Sequence, residues 1–188
     1  MAARYDAIAD FHAEQTGDDV ADRATAALLD LSGDVSGLRV LDLACGHGRV
    51  TRELADRGAR VVGIDISGAL IEQARAAERA KPRAIAYVHG DVTALTALDG
   101  EHFDAVVCNY GLSDIDDLDG ALATVTRALV PGGVWCARSS IRASPAGART
   151  RRAVRRRAAA TTKRAGGSQI TRDSAGRSAR TIACCPRT

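Results

Sequence analysis

Leu38-Arg39-Val40-Leu41-Asp42-Leu43-Ala44-Cys45-Gly46-His47-Gly48 is the stretch on which the fold turns. Residues 38–43 carry leucine and valine in a short apolar run, which reads as a strand. Gly46 and Gly48 then supply a turn, and the pattern that follows to about residue 57 is helical. Residues 60–65 repeat the strand pattern. Ser67 is a suitable N-cap for a helix running to Lys81. Further strands are expected at 84–88, 103–108 and 134–137. A helix over 118–129 is closed by Pro131-Gly132-Gly133. Upstream, residues 20–31 form an amphipathic lead-in helix. Short apolar strands separated by helices call for a parallel sheet covered on both faces. Right-handed crossovers then make it a doubly wound, mostly parallel α/β domain.

Ligands in such sheets bind beyond the carboxyl ends of the strands, near the point where strand order reverses. Acidic residues stand at three of those ends. Asp42 lies at the end of the first strand, where an ammonium group would sit. Asp65 closes the second, 19 positions after Gly46, and suits an acceptor for both hydroxyls of a ribose. Asp65 is therefore expected to face the ligand, and its loss to leave the fold intact. Gly90-Asp91-Val92 follows the third strand, where a carboxylate can accept from an adenine amino group. Gly46 and Gly48 leave the turn bare, so that a ligand approaches the backbone closely. A dinucleotide-binding domain shares these features but wants a third glycine three positions after Gly48, where this chain has Thr51. Asp42 would also repel a pyrophosphate.

Residues 41–48, Val62-Gly63-Ile64-Asp65-Ile66-Ser67, Gly90-Asp91-Val92, Phe103-Asp104-Ala105-Val106-Val107 and Pro131-Gly132-Gly133 resemble, in order and interval, the motifs of class I S-adenosylmethionine-dependent methyltransferases. Each motif is moderately specific, and the ordered set is highly specific. The resemblance runs from about Tyr5 to Ala137 and implies a Rossmann-like methyltransferase fold that binds S-adenosyl-L-methionine. It implies cofactor contacts at Asp42, Ala44, Gly46, Gly48, Asp65, Ile66, Asp91, Val92 and Asn109. Gly46 and Gly48 would border the methionine part, Asp65 the ribose, and Asp91 with Val92 the adenine. Tyr5 and Phe11 resemble a lead-in segment that folds over the cofactor. Asn109 and Tyr110 occupy the loop where the methyl group meets its acceptor. No side chain marks itself as an obligatory general base, so the catalytic residues stay unassigned. The acceptor is expected to be a small molecule.

Composition divides the chain at residue 138. Residues 139–188 hold thirteen of the 26 Lys and Arg with one acid, Asp173, a net of +12. Residues 1–138 hold thirteen basic against twenty-two acidic side chains, a net of −9, and all six aromatic residues. The first segment is expected to be the cofactor-binding domain. The second, rich in arginine and poor in large apolar groups, cannot bury enough surface to offset ordering and is expected to be a disordered tail. The resemblance implies a further helix and an antiparallel strand pair after the fifth strand, which this tail does not supply. The expectation is thus a domain truncated or frameshifted after that strand, incomplete at its C-terminus and impaired in activity. The alternatives are a nucleoside- or dinucleotide-binding protein, or a nucleic-acid-associated protein acting through its basic tail. The domain is acidic and the tail lacks aromatic residues for stacking, so no specific nucleic-acid partner is expected.

No apolar run is long enough for a membrane span, and residues 1–6 lack the apolar core of a secretory signal, which predicts a cytoplasmic protein. Cysteine and histidine spacing matches no zinc motif, and no metal is assigned. Cys45, Cys108 and Cys136 read as small core residues. Asp114, Asp116, Asp117 and Asp119 read as a solvated helix entry favoured by the helix dipole. His47 reads as a solvated turn residue, and His12, His89 and His102 as surface or packing residues. The sequence is silent on oligomeric state.

Overall fold

The computed structural model describes residues 3–17, 19–94, 98 and 100–139. The expected tail therefore lies, beyond Ser139, outside the described residues. A short 3₁₀ turn at Asp6–Ile8 leads into α1 (Ala9–Thr16) and α2 (Arg23–Leu31). Then come β1 (Arg39–Leu43), α3 (Arg49–Asp56), β2 (Arg60–Asp65), α4 (Gly68–Ala80) and β3 (Ala86–His89). The chain continues through β4 (Phe103–Asn109), a 3₁₀ turn at Gly111–Ser113, α5 (Leu118–Ala128) and β5 (Leu129–Arg138).

The five strands form one parallel sheet in the order β3-β2-β1-β4-β5. Chain order reverses between β1 and β4, so the crevice at their carboxyl ends is the switch point. Alternation along the strands divides the core in two. Leu41, Leu43, Ile64 and Val106 face α5 through Ala121, Val125 and Ala128. Val40, Val61, Ala105 and Val107 face α2 and α3 through Leu28, Leu29, Val50 and Leu54. Ile71 and Ala74 of α4 close over Ile85 and Tyr87 on that second face.

Caps set the helix starts. The Asp22 carboxylate accepts from the Thr25 N–H at the head of α2, the Ser67 hydroxyl from Leu70 at α4, and Asp117 from Gly120 at α5. The lead-in helix therefore starts at Arg23 rather than at residue 20. The acidic cluster after β4 includes the α5 cap. Gly48, left-handed at φ 84°, heads α3 with no side-chain cap.

The start of β5 also differs from the sequence reading. β5 begins at Leu129, directly after α5, instead of beyond the Pro131-Gly132-Gly133 stop. Leu129 pairs with Phe103 and Val134 with Ala105, so residues 130–133 bulge opposite the single residue Asp104. Pro131 has no N–H to give the ladder, and Gly132 takes φ 86°, which is the chemistry of a bulge. The sequence signal was read as a stop when it marks a detour within the strand.

Phe103 opens β4 at this bulge with no exposed surface, packed in the core beneath the Arg39 guanidinium. Phe103→Ala is expected to cost about 3–5 kcal/mol of unfolding free energy. Urea denaturation followed by circular dichroism checks it; a loss under about 1 kcal/mol would contradict this placement of the core.

Candidate functional site

The β1–α3 turn, the end of β2 and the end of β4 enclose a cavity of about 350 Å³, roofed by the N-terminal segment. Of the residues expected at a cofactor, Asp42, Ala44, Gly46, Asp65, Ile66 and Asn109 line it. Gly48, Asp91 and Val92 do not. A Cβ at Gly46 would meet nothing within 4 Å, which suits close approach from the cavity. A Cβ at Gly48 would fall 2.4 Å from the Tyr87 hydroxyl oxygen, so this glycine makes room for Tyr87 in the protein's own packing. Asp91 is exposed, and its Oδ1 accepts from the Thr93 N–H and hydroxyl, each at 2.8 Å. The Val92 side chain is buried in the core on the α5 side.

Asp42 is sealed within the fold, and its Oδ2 accepts from the Thr51 hydroxyl at 2.6 Å. Burial pushes its carboxyl up to about 7, Thr51 pulls it down, and the nearby Asp65 charge pushes it up again. Thr51, which departs from the dinucleotide fingerprint, thus has a task in this fold.

Asp65 is also buried, and burial raises its pKa although backbone amides oppose the shift. Its Oδ2 accepts from the Gly46 N–H and its Oδ1 from the Ser67 N–H, both at 2.8 Å. A carboxylate offers about four acceptor positions, so these two bonds do not exhaust it. The expectation that Asp65 serves a ligand alone is corrected: it also fixes the turn and the start of α4. Neither acid forms an ion pair among the described residues. Two buried carboxyls without a cation invite a ligand that brings positive charge and hydroxyl donors.

The roof is held from several sides. The Tyr5 hydroxyl donates to Asp114 Oδ2 at 3.1 Å, beside an Arg4 contact to the same carboxylate. Asp6 Oδ1 accepts from the Ser67 hydroxyl at 2.7 Å and the Ala69 N–H at 3.3 Å, and the Ser67 bond leads in lowering its pKa. Gln73 donates to Asp10 at 2.7 Å. His12 meets Tyr5 and His47 edge to face, with ring centroids 5.1 and 6.1 Å away, and burial lowers its pKa. His47 is buried, with Nε2 3.2 Å from the Gly17 carbonyl oxygen, so the solvated reading of this residue is corrected. Phe11 is 62% exposed and does not line the cavity that the lead-in segment was expected to fold over. Asp114 anchors the roof and is no merely solvated helix entry.

Just past β4, Tyr110 takes φ 68°, left-handed for a residue with a bulky side chain. Its N–H donates to the Arg138 carbonyl at 2.8 Å. The Arg138 guanidinium lies 4.5 Å from its ring centroid and donates to its hydroxyl at 2.6 Å. Sequence reasoning missed His12, Arg49 and Thr51 because their roles depend on contacts between distant elements. Among the described residues, no group of His, Cys, Asp and Glu could hold a metal ion, and no helix is long and apolar enough to cross a membrane.

An acid whose pKa is higher folded than unfolded binds its proton more tightly in the fold. Its contribution to stability is therefore present at low pH and declines as pH rises from about 4 towards 7. Asp42→Asn is expected to remove that slope, which is on the order of a few kcal/mol in the unliganded chain. Urea unfolding across that pH range checks it; parallel pH profiles for both chains would contradict it.

Residues 40–133 match the model of a family described as a methyltransferase domain. The demethylmenaquinone methyltransferase of Beutenbergia cavernae is 39% identical over 107 residues, covering 57% of this chain and 42% of that protein. The ubiquinone biosynthesis O-methyltransferase of Alkalilimnicola ehrlichii is 37% identical over 101 residues, covering 54% and 41%. The chain thus matches less than half the length of these relatives. Among solved structures, an S-adenosylmethionine-dependent methyltransferase from Mesorhizobium loti is similar, with a TM-score of 0.57 and 30% identity, over 64% of this chain and 56% of that one. Haemonchus contortus phosphoethanolamine N-methyltransferase 2, in complex with S-adenosyl-L-methionine, gives 0.54 and 27%, over 61% and 27%.

Proposed function

Since the chain belongs to the methyltransferase domain family matched over residues 40–133, we propose that it transfers a methyl group from S-adenosyl-L-methionine to a small-molecule acceptor. The observation that carries this reading is the pair of buried acids, Asp42 and Asp65, which line one cavity and form no ion pair with any described residue. S-adenosyl-L-methionine brings an ammonium, a sulfonium and two ribose hydroxyls to such a site. The cavity volume also falls among those of small-molecule sites, roughly 300–1,000 Å³.

Asp65 would accept from the ribose hydroxyls through the positions left on its two oxygens. Asp42 would face the amino-acid end, with Gly46 presenting bare backbone beside it. Adenine would extend past Ile66 towards Asp91 and Val92 at the end of β3. When bound, the cofactor supplies an electrophilic methyl group for in-line attack by a nucleophile. The remaining task of the chain is position and dehydration. Tyr5, His12, Asn109 and Tyr110 all line the cavity; the first two would cover the bound cofactor, and the last two would border the side from which an acceptor approaches. The names of the menaquinone and ubiquinone relatives support a small-molecule acceptor.

Asp65→Asn removes the charge and sets an NH₂ where one oxygen accepted a backbone N–H, so its folding is checked by circular dichroism first. The variant is expected to weaken S-adenosylhomocysteine by about 1.5–3 kcal/mol, roughly tenfold to more than a hundredfold. Calorimetric titration checks this, and unchanged affinity would place the nucleoside elsewhere. Tight binding of a nicotinamide dinucleotide with none of the methyl donor would overturn the reading itself.

A further inference from the structure

Asn109 is the last residue of β4 and lines the cavity. Its Nδ2 donates to Thr25 Oγ1 at 3.1 Å, across 84 positions of sequence. Thr25 belongs to α2, has no exposed surface and does not line the cavity. The same hydroxyl oxygen accepts from Arg49 Nη2 at 3.2 Å. A hydroxyl oxygen has two lone pairs, so these two donors fill its acceptor positions. The Thr25 N–H in turn donates to Asp22 Oδ1 at 2.9 Å, which holds the residue at the head of α2. With the Asn109 NH₂ given to α2, its carbonyl oxygen faces away.

The freed Oδ1 is shielded from solvent and accepts no hydrogen bond from any described residue. Leaving a buried acceptor unmet costs free energy, so a fold that enforces this orientation needs a donor from elsewhere. Asp42 pairs in register with Val107, two residues before Asn109, so Asp42 and Asn109 project from the same face of the sheet at adjacent strand ends. A carboxylate and, two residues further along the neighbouring strand, a carbonyl oxygen on the same face suit an ammonium group with its three donors.

We propose that Thr25 is a positioning residue that orients the Asn109 amide so that its carbonyl oxygen is reserved for the ammonium group of the bound cofactor. This assignment rests on the cofactor reading above. Arg49 serves it by filling the other acceptor position of the Thr25 hydroxyl, and Asp22 by holding the Thr25 backbone N–H, so the selection reaches from the N-terminus of α2 to the end of β4.

The test compares S-adenosylhomocysteine, which carries the ammonium, with 5′-methylthioadenosine, which lacks the amino-acid part. Both are titrated into the full chain and into its Thr25→Val and Thr25→Ser variants. Thr25→Val is expected to weaken S-adenosylhomocysteine about fivefold to tenfold and to leave 5′-methylthioadenosine unchanged. Thr25→Ser, which keeps the hydroxyl, is expected to restore the wild-type ratio. Equal losses for both ligands, or no loss for either, would overturn the assignment of Thr25. If Thr25→Val does not fold, Asn109→Ala must show the same selective loss, and a non-selective one overturns the assignment. A wild-type chain that binds neither nucleoside overturns the cofactor reading and this assignment together.

Discussion

Asp65 accepts one backbone N–H from the β1–α3 turn and another from the head of α4, and much of the site is arranged around those two bonds. The Gly46 bond sets the turn that leaves bare backbone against the cavity. The Ser67 bond orients the residue whose hydroxyl caps α4 and reaches Asp6 in the roof. Turn, helix and roof are therefore joined through one carboxylate. In surroundings of low dielectric, such bonds reinforce each other, and losing the shared acceptor would leave two amide donors to be satisfied at once.

The arrangement carries a cost that the rest of the fold offsets. Asp42 and Asp65 are buried close together, and burial works against the charge on both. Thr51 returns part of that cost at Asp42, and the amides of Gly46 and Ser67 do so at Asp65. The apolar layers on either face of the sheet supply the stability against which the site is held. A site of this kind is at odds with itself when empty and relieved by a ligand carrying opposite charge.

The doubly wound sheet was legible because alternating strands and helices have distinct periods, and Leu41, Ile64 and Val106 lie where the pattern puts them. That Asp42, Gly46 and Asp65 share one cavity was legible as well, since strand ends at a switch point converge on a crevice. What could not be read was the pairing of distant side chains. Nothing in the spacing shows that Gly48 answers to Tyr87, that Thr51 serves Asp42, or that His47 turns inward to Gly17. The Pro131-Gly132-Gly133 signal was seen, but a proline with two glycines punctuates a strand bulge as readily as it ends a helix. Which of the two it does depends on Phe103 and Leu129 pairing across the sheet.

Tyr110 holds a left-handed backbone that costs a residue with a Cβ roughly 1–2 kcal/mol, and its ring and hydroxyl are both engaged by Arg138. Glycine would adopt that backbone freely yet bring no ring and no hydroxyl. Selection for an unstrained backbone and selection for a side chain that lines the cavity would therefore favour different residues at this one position. The strain at Tyr110 records which of those pressures the sequence has answered.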